Sequence, residues 1–212
     1  SVWIQDSCGV NDVSVWTGPY SFSTLCNTFG LNYTESFSNW VTPNPPTCWN
    51  TSGGTQTVLQ TVVGTNKMVN FDFWNWTSGN TAHLTSPAIS ISQKSRLKLS
   101  WSRVGSTFYN DAVLIQAKKT TATTWDTVAY WANPDCSCGA GNTTPGTAVD
   151  SLFTLDSNYV GSDVQVRFVG LSDWGPNFYI DNVVVEVDPA FASCPAPQSL
   201  TATGITSNSA ML

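Results

Sequence analysis

The chain has 212 residues, of which 41% are hydrophobic and only 10% charged, against about 25% charged in an ordinary soluble domain. Eight Lys and Arg against fourteen Asp and Glu leave a net charge of −6, which excludes a phosphate-tracking basic surface and with it nucleic acid as a partner. One histidine, His83, restricts zinc-hydrolase, Ser-His-Asp and Cys-His chemistry to a single imidazole, and no apolar run reaches the length of a membrane span.

Helical periodicity is nearly absent, while short alternating runs separated by Gly, Asn, Pro and Ser recur along the chain, which predicts an all-β, antiparallel sandwich. The start at Ser1-Val2-Trp3-Ile4 reads as the inside of a strand, so a secretion signal is expected upstream. Predicted strands follow at Val58 to Val63, Val69 to Phe73, Arg96 to Ser102, Ala112 to Ala117, Thr127 to Trp131, Val164 to Phe168 and Phe178 to Val187. In two of them the period of two puts Leu97, Leu99 and Trp101, and Val164, Val166 and Phe168, on one face. Six cysteines, Cys8, Cys26, Cys48, Cys136, Cys138 and Cys194, lack zinc-site spacing and point to an oxidising compartment.

The chemistry-bearing residues are few. Only two glutamates occur, Glu35 and Glu186, and no clustered pair of acids of the kind a jelly-roll glycosidase needs, so the chain is read as non-enzymatic. Asp173 beside Trp174 and Asp181 beside Asn182 are isolated acids, Asp135 beside Cys136 is not read as a ligand, and His83 is read as a polar residue at a strand edge. Ten tryptophans are many. Trp49 and Trp101 read as core, whereas Trp74, Trp76, Trp131 and Trp174 are weighed as platforms for a sugar face. In Phe71-Asp72-Phe73-Trp74-Asn75-Trp76 a continued strand puts Phe71 and Phe73 inside and Trp74 and Trp76 outside, which makes the two tryptophans candidate ligand contacts. Asn32, Asn50, Asn75 and Asn142 each begin an Asn-x-Ser/Thr sequon.

Three further groups of motifs lie along the middle of the chain. They are Tyr33-Thr34-Glu35-Ser36-Phe37 with Pro46-Thr47-Cys48-Trp49, then Leu84 to Ile89 with Leu97 to Ser100, then Asn110 to Ile115 with Thr124-Trp125. With the closing run Asn177-Phe178-Tyr179-Ile180-Asp181-Asn182-Val183, they make residues 27–189 resemble the MAM-like jelly-roll modules called cleaved-adhesin or choice-of-anchor J domains of Bacteroidetes surface proteins. Asn50-Thr51-Ser52-Gly53-Gly54 departs from the family's Asp-rich loop. Residues 1–26 and 190–212 resemble, respectively, the last and first strands of fibronectin type III domains.

The resemblance implies a non-catalytic module of a large cell-surface adhesin or filament, with roles in adhesion and gliding motility. The alternative is an accessory carbohydrate-binding module of a secreted protease or polysaccharide hydrolase; a bare spacer is the third reading. Expected partners are neighbouring domains of the same polypeptide and a glycan or surface ligand, with no direct membrane insertion. First and last strands of a jelly roll are commonly adjacent, which brings Glu35 towards Asp181; the resemblance implies the same two positions as ligands of a structural calcium, with Asp111 a third. The fibronectin likeness implies that Cys8 and Cys194 pair outside this chain. Cys26 with Cys48 is the expected internal disulfide, and Cys136 with Cys138 is disfavoured as a strained ring. In a Bacteroidetes host, Asp126-Thr127-Val128 and Asp150-Ser151-Leu152 resemble O-glycosylation motifs at Thr127 and Ser151.

Overall fold

The computed structural model describes residues 26–106, 108–136 and 138–191, together with the backbone of four short strands near the start of the chain. Those four form two antiparallel pairs, β1 (Val2–Ile4) with β4 (Thr17–Tyr20) and β2 (Ser7–Gly9) with β3 (Asp12–Val13). The second fibronectin-like fragment and Cys194 fall almost wholly outside the described residues, as does the side chain of Cys8.

Eleven further strands build two antiparallel sheets face to face, a jelly-roll β-sandwich. The first sheet has the order β13 (Val149–Thr154), β10 (Ser95–Ser102), β15 (Phe178–Val187), β7 (Asn66–Phe71) and β6 (Leu59–Val63), with β5 (Tyr33–Glu35) also pairing on β15. The second runs β12 (Asp126–Ala132), β11 (Ala112–Lys119), β14 (Ser162–Leu171) and β8 (Thr81–Thr85), with β9 (Ile89–Ile91) beside β8 on the same edge of β14.

The period-2 pattern decides which residues face inward. Leu97, Leu99 and Trp101 of β10 meet Val164, Val166 and Phe168 of β14 in one core that also holds Phe37, Trp40, Trp49, Phe71, Phe73 and Phe178. Gly170 faces this core because a Cβ there would press into the rings of Phe71 and Phe73. β15 carries a bulge: Asn182 has φ 46°, and the register against β10 shifts between Lys98 and Ser100. The extra residue keeps Asp181 out of the apolar core, covered at 3% exposure, while Val183 faces in.

A disulfide joins Cys26 to Cys48, with Cα atoms 5.6 Å apart, and ties the segment preceding β5 to the Trp49 turn. Cys136 and Cys138 are also joined, with Cα atoms 5.0 Å apart, which corrects the expectation drawn from their spacing. The physical reason is the wall they lie on. The end of β10 and the residue after it meet the two sulfurs: Cys136 Sγ accepts from Arg103 N at 3.3 Å, and Cys138 Sγ lies 3.8 Å from Trp101 O.

Candidate functional site at the loop end of the sandwich

Four connections, 72–80, 103–111, 133–148 and 172–177, gather at one end of the sandwich. Their anchor is a fully buried ion pair, in which Arg103 Nη2 meets Asp111 Oδ2 at 2.6 Å with both side chains at 0% exposure. Sequence reading passed over Arg103, although it continues the inward parity of Leu97, Leu99 and Trp101. Its other donors reach Pro176 O at 3.0 Å, Asn133 Oδ1 at 3.1 Å and Pro134 O at 3.2 Å. Asp111 Oδ1 in turn accepts from Asp173 N at 2.5 Å and Gly175 N at 3.1 Å. Burial lowers the Arg103 pKa and the Asp111 charge opposes that shift. Asp111, expected as a calcium ligand, is instead the counter-ion of a guanidinium on another part of the fold.

The isolated Asp173 fastens two loops, accepting from Ser78 Oγ at 2.7 Å and Asn110 N at 3.0 Å, and these bonds hold its carboxyl below the usual carboxylate range. Asp72 organises the neighbouring turn. Asn177 Nδ2 donates to it at 2.8 Å and Asn75 Nδ2 at 2.9 Å, so β7 stops at Phe71 and a 3-10 turn, Phe73–Asn75, follows. That turn overturns the expected outward pair of tryptophans. Trp74 is 43% exposed, but Trp76 swings inward to 6% and packs edge-on against Phe71 and Phe73.

The rim that results carries three large exposed aromatics on three connected loops: Trp74, Trp174 at 52% and Phe108 at 85%. Trp174 sits at φ 65°, held by Trp174 N donating to Ser172 Oγ at 3.4 Å. Trp131, on β12, lies half-buried against Trp101 and Phe153, with ring centroids 4.8 and 5.3 Å away. His83 lies in the middle of β8 opposite Val169, on the outer face of the second sheet, where burial and the charge of Arg167 lower its pKa.

Glu35 and Asp181 stand apart from this rim. β5 pairs with β15, placing Glu35 opposite Val183. Glu35 Oε1 accepts from Phe37 N at 2.6 Å, and Asp181 accepts from Asn66 Nδ2 at 2.8 Å and Asn182 N at 2.7 Å. Burial pushes both carboxyls above their ordinary range, and the Asp181 charge adds to the push on Glu35. Among the described residues neither acid has a Lys or Arg ion-pair partner, and no group of three His, Cys, Asp or Glu is placed to hold a metal. Of the two O-glycosylation motifs, Thr127 is exposed on β12, whereas Ser151 is half-buried and its Oγ accepts the Trp101 indole N–H at 2.9 Å.

No family model matches the chain, and no characterised sequence is similar enough to count as a relative. Among solved structures, the K1 cleaved adhesin domain of Lys-gingipain from Porphyromonas gingivalis W83 superposes with a TM-score of 0.54 at 15% identity, covering 75% of this chain and 99% of that one. The K2 cleaved adhesin domain of Lys-gingipain gives 0.54 at 16%, covering 74% and 98%. A Bacillus subtilis glycoside hydrolase family 43 arabinoxylan arabinofuranohydrolase, solved with cellotetraose, gives 0.50 at 10%, covering 88% of this chain but 33% of that one.

Proposed function

We propose that this chain, which shares the fold of the cleaved adhesin domains, is a non-catalytic extracellular module that adheres to surface glycans. The observation that carries the reading is the rim of Trp74, Phe108 and Trp174, three exposed aromatics on loops tied to one another through Asp173, Asn177 and the Arg103–Asp111 pair. Aromatic faces on rigid loops bind at little entropic cost. The two glutamates are spent elsewhere, Glu186 on Arg96 at 2.6 Å and Glu35 beside Asp181, so they do not flank a cleft as a glycosidase pair does. The two disulfides fit an oxidising, extracellular setting, and no helix among the described residues is long and apolar enough to cross a membrane. In this reading the chain is one bead of a larger Bacteroidetes surface polypeptide, with fibronectin-like neighbours on both sides.

A structural calcium belongs to the same proposal. A half-buried Glu35 and a buried Asp181, both with raised pKa values and no basic partner among the described residues, suit a divalent ion. Glu35 and Asp181 would hold it, with the Asn66 side chain and backbone carbonyls completing the oxygen set. The ion would stiffen the junction of the opening and closing strands. The reading is tested on immobilised mucin: wild type should be retained, and a Trp74→Ala/Phe108→Ala/Trp174→Ala variant with unchanged melting temperature should wash through. Equal retention of both would remove the rim from the account.

A further inference from the structure

At the side where β12 and β13 form the outer edges of the two sheets, the edges meet sparsely, with Trp131 packed on Phe153 at 5.3 Å between ring centroids. Two cavities open there, of about 510 and 500 Å³. Asp126, Thr127 and Val128 line the first and Tyr130, Trp131 and Ala132 the second, so all of β12 except Ala129 borders one or the other. At about 3.3 Å per residue the two are strung along about 20 Å of one strand. Between them the floor is half-buried and apolar, with Val128, Ala129, Trp131 and Phe153 packed against the core.

The two cavities differ chemically. At the loop end the indoles of Trp101 and Trp131 form the wall, and Asn133 and Asp135 stand at the lip; Asp135 Oδ1 is fixed by Gly105 N at 3.0 Å. At the far end Asp126, Asp156 and the Tyr159 phenol face the opening with Lys94. Their positions are set by Tyr159 Oη donating to Asp126 Oδ2 at 2.7 Å and Asn158 N donating to Asp156 Oδ1 at 2.7 Å. Ionised carboxylates accept hydrogen bonds from hydroxyl groups, and an indole face stacks against the C–H face of a sugar ring. Three carboxylates against one ammonium repel a polyanion.

From the strand-length run of cavities, the aromatic end, the acceptor-rich end and the negative balance, we infer that this side of the sandwich is a groove for an extended neutral polysaccharide. A sugar ring stacks on Trp131, and rings further along hydrogen-bond to Asp126 and Asp156. The inference rests on the carbohydrate-binding reading and adds to it a second surface, a ligand class and a mode, in which the groove grips the interior of a chain.

The test uses unglycosylated protein and calorimetric titration with di- and hexasaccharides of cellulose, xylan and mannan, alongside affinity electrophoresis in β-glucan and in polygalacturonate. In at least one neutral series the hexasaccharide should bind tenfold or more tighter than the disaccharide, with no retardation by polygalacturonate. Ser157→Arg, on an exposed position that lines the acceptor-rich end, should cost tenfold or more for the hexasaccharide and leave the disaccharide unchanged. Trp131→Ala should abolish both; because Trp131 also packs on the core, Ser157→Arg carries the test if that variant does not fold. A preference for polygalacturonate, equal affinity for short and long ligands, or wild-type binding by Ser157→Arg overturns the groove. If those results accompany loss of binding in Trp74→Ala/Trp174→Ala, the groove alone falls. If wild type binds no polymer at all, the carbohydrate reading falls with it.

Discussion

Replacing Asp111 by Ala leaves the Arg103 guanidinium, at 0% exposure, without its counter-ion. Breaking a buried pair by removing one partner costs about 3–5 kcal/mol, because the remaining charge is uncompensated. The substitution also strips the acceptor from Asp173 N and Gly175 N, at about 1–3 kcal/mol for each group that water does not reach. Arg103 keeps its bonds to Pro176 O, Asn133 Oδ1 and Pro134 O, so the lower part of the range applies and about 4 kcal/mol is expected. That is about a quarter or more of the stability of a typical domain, about 5–15 kcal/mol. In equilibrium urea unfolding, with a slope of about 2 kcal/mol per molar, the midpoint should fall by about 2 M at unchanged slope. Arg103→Met/Asp111→Leu should be more stable than Asp111→Ala, since it removes the uncompensated charge, but should stay below wild type because Asp173 N and Gly175 N still lack their acceptor. A midpoint shift below about 0.3 M for Asp111→Ala, or a double variant as unstable as the single one, would refute the claim that this pair anchors the loop end.

The two tryptophans of the β7–β8 connection should separate cleanly. Trp76→Ala should lose about 3–5 kcal/mol, while Trp74→Ala stays within about 0.5 kcal/mol and is read by weakened retention on mucin. At Gly175 a Cβ would run into the Asp111 carboxylate and Arg103 Nη2, so Gly175→Ala should cost about 1–3 kcal/mol by overpacking in the same urea assay. The raised folded-state pKa values of Glu35 and Asp181 mean that, in chelator, the folded state binds more protons than the unfolded one. This contribution is therefore fully present below the ordinary carboxylate range and is lost as pH rises through the raised folded values. Melting temperature in chelator should rise on acidification from neutral pH towards that range, relative to Glu35→Gln. Saturating calcium should raise the neutral-pH melt of wild type and leave Glu35→Gln unmoved; identical pH profiles for the two proteins would contradict the pairing.

Local pattern made most of the sandwich legible. The alternation in β10, β14 and β15 is set by which residues must leave water, and it fixed strand type, facing and the sheets' inner sides. The β5–β15 pairing of Glu35 with the closing strand followed from the order of elements in a jelly roll. The loop end was less legible because its chemistry is non-local. Nothing near Asp72 announces that Asn177, 105 residues away, will bond it and end the strand before Phe73. Asp111 has the composition of a metal ligand, and only the inward parity of Arg103, one residue beyond the end of β10, distinguishes it as a counter-ion. The Cys136–Cys138 bridge lies against Trp101 O and Arg103 N, more than 30 residues away, which spacing does not reveal.

The central claim, binding without catalysis, is tested most directly by incubating the purified protein on an array of neutral, acidic and host-type glycans and measuring both retained protein and released sugar from the same spots. The account predicts retention on a subset of glycans with no release above the buffer control. Release of reducing sugar, or retention on none of the glycans, would contradict it.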